Sequence, residues 1–362
     1  MVAWTNGSQT FVLHNAPIFD NDESSTIESA SVLLIDAPLV PALPPTFKPP
    51  PPGPNACLFF VADAGAKGAG MFAAQDIPAG ALILVDRPIA VVPSNVSSPW
   101  KREAFDALIP RISQPSRDTV LALANCKPVE ECPVIEGIAY TNAFGIQLST
   151  PPDTAPQEYG GIFPNVSRAN HRCGLNTAIK WDLASFSVSM FSLRPVRAGE
   201  EIHNQYIDVL APRHVRRAQL ARYDFDCMCP HCDLPDDDAV ARSDAARAEL
   251  RDWHQLHPRF LPWSMDMCRS DDAVIVSSLR ALDLIEQEGL YGMQVPFMED
   301  IALSYAVLGD EQRFGEWAQK VVDLCAGQDP ERAQKFASWI ANPQKYSRWG
   351  WRAKQRQRTC SD

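Results

Sequence analysis

The chain is 362 residues long, 46% hydrophobic and 21% charged, with a formal net charge of −11. It can bury a large core and is long enough for two domains, one of ~200 residues and one of ~120; its acidity argues against direct nucleic-acid binding and suits a partner that is locally basic. No apolar run reaches bilayer-spanning length, and Met1-Val2-Ala3-Trp4-Thr5-Asn6 lacks the regions of a signal peptide, which predicts an intracellular protein of nucleus or cytoplasm with no membrane contact.

Residues 1–36 mix apolar stretches with Asp20, Asp22 and Glu23 beside serines and a threonine, and read as a flexible N-terminal segment. Residues 37–54 are so rich in proline that neither a helix nor a strand ladder can be sustained, so a stiff linker is expected. A domain over 55–225 follows. It opens with the apolar strand Cys57–Val61, resumes at Ala81–Val85, and carries a helical insert at 96–132, where Phe105, Leu108, Ile109 and Ile112 recur at helical spacing. Phe186–Leu193 reads as a half-buried strand, because apolar and small polar residues alternate. Beyond Arg213 the pattern turns helical. Ile275, Leu279, Leu282 and Ile285 form one stripe, Ile301, Tyr305 and Leu308 a second, and Phe314, Trp317, Val321 and Leu324 a third. Short links between them predict antiparallel hairpins in a helical domain at 238–345, with a basic, solvated tail at 346–362.

Cys227, Cys229 and Cys232 fall within six residues, a density better explained by zinc than by disulfides in a chain without a secretory signal. A tetrahedral site needs a fourth ligand. Cys173 is the natural candidate, and its bond would pin residues 227–232 of a zinc segment at 226–237 over residues 170–173. His231 is itself a legitimate zinc ligand, but adjacent residues seldom point into one tetrahedron, which disfavours it beside Cys232.

Four motifs in order carry a resemblance. They are Ala66-Lys67-Gly68-Ala69-Gly70-Met71-Phe72-Ala73 with Asp76-Ile77-Pro78-Ala79-Gly80, then Asn170-His171-Arg172-Cys173-Gly174-Leu175-Asn176, then Gly199-Glu200-Glu201-Ile202 with Tyr206, and the cysteine cluster. Over about residues 57–233 this set resembles the SET-domain protein lysine methyltransferases. It is similar to the fungal-type members related to SET-and-MYND proteins but without the MYND finger, since Cys126 and Cys132 alone cannot build one. The resemblance implies an α+β fold: a β-rich pseudoknotted SET core with a helical insert, an asparagine-aromatic strand at Ala139–Ile146 lining the cofactor pocket, and a zinc-binding post-SET segment, to which the helical stripes add a C-terminal α-helical, tetratricopeptide-like domain.

It also implies the chemistry. S-adenosylmethionine would be held by Lys67, Gly68, Gly70, Asn142, Asn170, His171, Tyr206 and Phe225, with Phe225 stacked on adenine and zinc held by Cys173, Cys227, Cys229 and Cys232. Tyr206 would be the catalytic residue, orienting a lysine amine that must lose its proton from a free pKa of ~10.4 before it can attack. The expected partner is a lysine-containing protein or peptide, histone or otherwise. Two alternatives remain: an S-adenosylmethionine enzyme acting on a small-molecule amine, and a non-catalytic SET module that binds proteins. The sequence departs from the family pattern at Ala69, Arg172 and Leu175. An added cation at Arg172, if it faced the amine channel, would disfavour a charged lysine.

Overall fold

The computed structural model describes residues 3–6, 9–16, 31–44, 47–94, 100–128, 130, 132–148 and 158–359. The chain divides into two compact units. The first comprises Met1–Phe72, Leu82–Asn170 and Ile179–Met190, and the second Ala73–Ala81, His171–Ala178 and Phe191–Asp362.

In the first unit, β1 (Ala3–Asn6), β2 (Gln9–Ala16) and β3 (Ser31–Asp36) come from the segment expected to be flexible. That expectation fails for these residues, while Asp20, Asp22 and Glu23 lie outside the described ones. The strands form because Phe11, Leu13, Val32 and Leu34 place apolar groups on one face at period two. Next come β4 (Phe59–Asp63), β5 (Ala69–Ala73), β6 (Leu82–Asp86) and β7 (Ala90–Pro93). The insert supplies α1 (Lys101–Leu108) and α2 (Gln114–Leu121), and helix runs on past its expected end at 132 into α3 (Val134–Asn142), followed by β8 (Phe144–Ile146) and β9 (Tyr159–Ile162). Among the described residues one sheet runs β1-β2-β3-β7-β9-β8, with β3 parallel to β7. Its inner face, including Phe11, Val32, Ala90 and Ile162, packs on Phe105, Leu108, Val120 and Ile138 of α1, α2 and α3. A strand expected over Ala139–Ile146 is therefore corrected: the chain is helical to Asn142 and extended only from Phe144.

The proline-rich stretch is not a free spacer. Ala37–Ala42 winds into a 3-10 turn, Phe47 is buried with its ring 4.5 Å from that of Phe186, and the Lys48 N–H donates to the Ala184 carbonyl at 2.7 Å. The remaining short strands are β10 (Asn170–His171), β11 (Thr177–Asp182) and β12 (Ser187–Ser192). The central strand of the sheet β11-β12-β6 is β12. It is buried along its whole length rather than half-buried, because its serines are small enough to pack on the second face.

The second unit holds β13 (Glu201–Asn204), α4 (Arg213–Leu220), α5 (Asp237–Arg251), α6 (Trp253–Leu256), α7 (Phe260–Met265), α8 (Ala273–Glu288), α9 (Gln294–Leu308), α10 (Glu311–Gln328), α11 (Pro330–Ala341) and α12 (Trp351–Thr359). Helices α8 to α11 pack each against the next, as short links require. Asp236, Asp310 and Asp329 cap helix starts, and Gly289 and Gly309 end α8 and α9 in the left-handed conformation. The α8 stripe is rotated from the expected one: Leu279 is 39% exposed, and Val274, Ser278 and Ala281 are buried beside Ile275 and Ile285. The basic end is not a solvated tail either, since Arg352 of α12 is fully buried and donates to the Asp271 carboxylate at 2.6 Å and to the Trp263 carbonyl at 2.7 Å. No helix among the described residues is long and apolar enough to cross a membrane.

Candidate active site and metal centre

The Sγ atoms of Cys173, Cys227, Cys229 and Cys232 all lie within 4.8 Å of one another. A tetrahedral zinc with sulfur ligands at ~2.3 Å sets its sulfurs ~3.8 Å apart, so the four fit one ion. Hydrogen bonding among the crowded thiols pushes Cys173 above and Cys229 below the usual thiol range, whereas a dication would let all four ionise together. Cationic groups converge here as well. Arg216, fully buried on α4, has its guanidinium 3.9 Å from Cys232 Sγ and donates to the His231 carbonyl, and Arg213 Nε donates to the Cys232 carbonyl at 2.7 Å. His231 is not among the convergent ligands. Its ring occupies the space that a Cβ on Gly174 or Gly289 would need, and its Nδ1 lies 4.0 Å from Glu288 Oε2.

His171 joins this cluster to Tyr206. The Tyr206 N–H donates to His171 Nδ1 at 3.1 Å, which makes Nδ1 the acceptor and leaves the ring proton on Nε2, 3.4 Å from Cys173 Sγ. The ring of Tyr206 lies 5.5 Å from that of His171 and 5.3 Å from that of Tyr223, and the His171 and Phe225 rings are 6.4 Å apart. Asp224 makes this possible by adopting a left-handed conformation (φ 60°), which turns the chain sharply between Tyr223 and Phe225. Burial, then the nearby Tyr223 and Glu201, holds the Tyr206 phenol above its ordinary pKa, so it keeps its proton at neutral pH. Tyr223 was missed by sequence reasoning. Its spacing from Phe225 and Cys227 was the available signal, but a tyrosine two residues from a phenylalanine carries no periodic mark.

The other expected cofactor residues belong to the first unit. Lys67 ends the 3-10 turn Gly65–Lys67; Gly68 follows at φ +72° with open space where a Cβ would sit, and Gly70 is buried in β5. Asn170 Nδ2 donates to the Ala69 carbonyl at 3.2 Å, tying the Asn-His loop to the glycine turn. Asn142 ends α3, and its amide donates to the Ala124 and Ile138 carbonyls at 2.6 and 2.7 Å, so a cofactor contact from it would run through Oδ1. Arg172 bears on the metal turn: its charge helps lower the pKa of His231, after burial and Arg247.

This combination of a glycine turn, an Asn-His-x-Cys loop, a tyrosine after a Gly-Glu-Glu strand and a cysteine knot defines a SET-type architecture. Residues 68–207 are a SET domain by family comparison. Among curated relatives, the histone-lysine N-methyltransferase set5 of Schizosaccharomyces pombe is 26% identical over 288 residues, 78% of this chain and 83% of the yeast protein. A putative SET domain-containing protein, L678, of Acanthamoeba polyphaga mimivirus is 24% identical over 46% of this chain and 74% of its own. The histone-lysine N-methyltransferase Smyd1 of Mus musculus is 30% identical over 36% of this chain and 26% of its own.

Proposed function

We propose that this chain is an S-adenosylmethionine-dependent protein-lysine N-methyltransferase. The observation that carries the reading is Tyr206, at the end of the SET domain, held by His171 beside the four-cysteine cluster. S-adenosylmethionine supplies an electrophilic methyl group on a sulfonium. Lys67, Gly68, Gly70, Asn142, Asn170 and Phe225 bind it in this account; His171 contributes through its backbone, because both ring nitrogens are already engaged. Cys173, Cys227, Cys229 and Cys232 hold one zinc, which fixes the segment bearing Tyr223 and Phe225. Tyr206 orients the attacking nitrogen but is no general base, since its phenol is protonated at working pH. The amine therefore arrives neutral, and activity rises from neutral to alkaline pH as the substrate lysine deprotonates.

The names of the yeast and mouse relatives support a histone or other lysine-bearing protein as substrate. Reduced thiols on a metal suit an intracellular setting, in nucleus or cytoplasm. The test is to offer methyl-labelled cofactor in parallel to a lysine-rich peptide pool and to a small-metabolite extract. Label in the peptide fraction is expected. Label only among metabolites would transfer the reading to a small-molecule amine, and no binding of S-adenosylhomocysteine at millimolar concentration would make this an interaction module.

A further inference from the structure

Where α8 ends, the helical region reaches the metal loop backbone to backbone. Gly289 ends α8 at φ +66°, and a Cβ built on it would lie 2.9 Å from Gly174 Cα; a Cβ on Gly174 would lie 2.4 Å from His231 Nε2. Only two glycines allow this approach, and one of them directly follows the ligand Cys173. The junction is closed by a buried ion pair. Arg247 of α5 donates through Nε to Glu288 Oε2 at 2.8 Å and through Nη2 to the Glu288 carbonyl at 3.2 Å, while Nη1 reaches the carbonyls of Val209 and of Cys173, the latter at 3.4 Å. Ser243 Oγ adds a hydrogen bond to Glu288 Oε2 at 2.7 Å, and His231 Nδ1 stands 4.0 Å from the same oxygen.

We infer that Arg247 and Glu288 are positioning residues for the metal centre, so that α5 and α8 complete the site instead of merely adjoining it. One guanidinium grips the carbonyl of a ligand residue, and the carboxylate it neutralises faces the histidine between two other ligands. Outer partners of this kind set how tightly a metal is held, and losing one typically costs 10–100-fold in affinity. A bundle needing only stability would be served as well by apolar residues at these positions, because burying the charges is costly unless every donor is used. The inference rests on the zinc reading given above.

The experiment measures the rate at which zinc passes from the full-length, metal-loaded chain to a chromogenic chelator, well below the unfolding temperature. Variants are Glu288→Gln, the apolar pair Arg247→Met with Glu288→Leu, and Phe314→Ala. Phe314 is buried in a separate cluster with Val321 and Phe336, so its truncation loosens the helices without touching the junction. Release about tenfold or more faster is expected in the first two, with the wild-type rate retained in Phe314→Ala. The apolar pair removes the unpaired charge that could unfold Glu288→Gln and still lacks the grip on Cys173, so it decides the question if the single variant fails to fold. Wild-type release from the apolar pair, or equal acceleration by Phe314→Ala, would overturn the inference. A wild-type chain purified without metal would overturn the zinc reading and this inference together.

Discussion

His171 ties the four-cysteine cluster to Tyr206, with Nε2 toward the sulfur of Cys173 and Nδ1 accepting from the peptide N–H of Tyr206. Substitution of a cysteine should therefore be felt at the cofactor site. Cys229→Ser is expected to reduce bound zinc from about one equivalent per chain to a small fraction, and to lower S-adenosylmethionine affinity as Phe225 loses its anchor; elemental analysis and calorimetry measure both, and full metal content in the variant would contradict the four-thiolate assignment. Gly68 is informative for a different reason. Its φ of +72° is strained for any other residue, yet a side chain there meets nothing within 4 Å. Gly68→Val is expected to fold and to lose the thermal stabilisation that S-adenosylmethionine gives the wild type, and an unchanged shift would remove the glycine turn from the cofactor site.

Among the elements, β6 carries a buried acid. Asp86, at its end, accepts from the backbone N–H groups of Asn165 and Val166 at 2.8 and 3.0 Å, which fixes the turn leading to Asn170. Burial outweighs those bonds and pushes its pKa up to about 6. The folded state then binds a proton that the unfolded chain releases near 4, so this group's stabilising contribution is complete below pH 4 and is lost as pH rises through 6. Relative to Asp86→Asn, the wild type should lose up to about 3 kcal/mol between pH 4 and pH 7. Denaturant titrations of both proteins at the two pH values check this, and a constant difference would contradict it. Helix α12 makes a second case. Arg352, stacked 4.5 Å from the Trp263 ring and bonded to three carbonyls and Asp271, should cost about 2–3 kcal/mol when replaced by alanine. A change under about 0.5 kcal/mol in the same titrations would return this helix to the status of a loose tail.

Across the molecule, what could be read from sequence was what depends on ligand chemistry or on short-range period. Three cysteines in six residues imply a metal whatever surrounds them, and Cys173 was found because only one cysteine lies inside the Asn-His motif. Phe314 and Val321 face the bundle core as their spacing predicts. Partnerships made across long separations were hidden. Strand β3 pairs in parallel with β7, more than fifty residues away, and nothing local to Ser31–Asp36 announces it beside the acidic stretch that precedes it. For the same reason Phe47 looked like part of a spacer until Phe186 was beside it, and Arg352 looked solvated until Asp271 was. Arg247 and Glu288 are invisible in sequence because polar residues on helices are usually on the solvent face, and only the fold pairs them and brings Arg247 to the Cys173 carbonyl.

The central claim is that Tyr206 serves methyl transfer to a lysine amine. It is tested most directly by locating the added methyl group by mass spectrometry on a protein substrate after reaction with wild-type enzyme and with Tyr206→Phe, alongside calorimetric affinity for S-adenosylmethionine. The account predicts methylated lysine Nζ with the wild type, and for the variant a much lower kcat or a changed number of methyl groups at nearly unchanged cofactor affinity. Lysine methylation at the wild-type rate and multiplicity by Tyr206→Phe, or methyl groups found on no lysine at all, would contradict it.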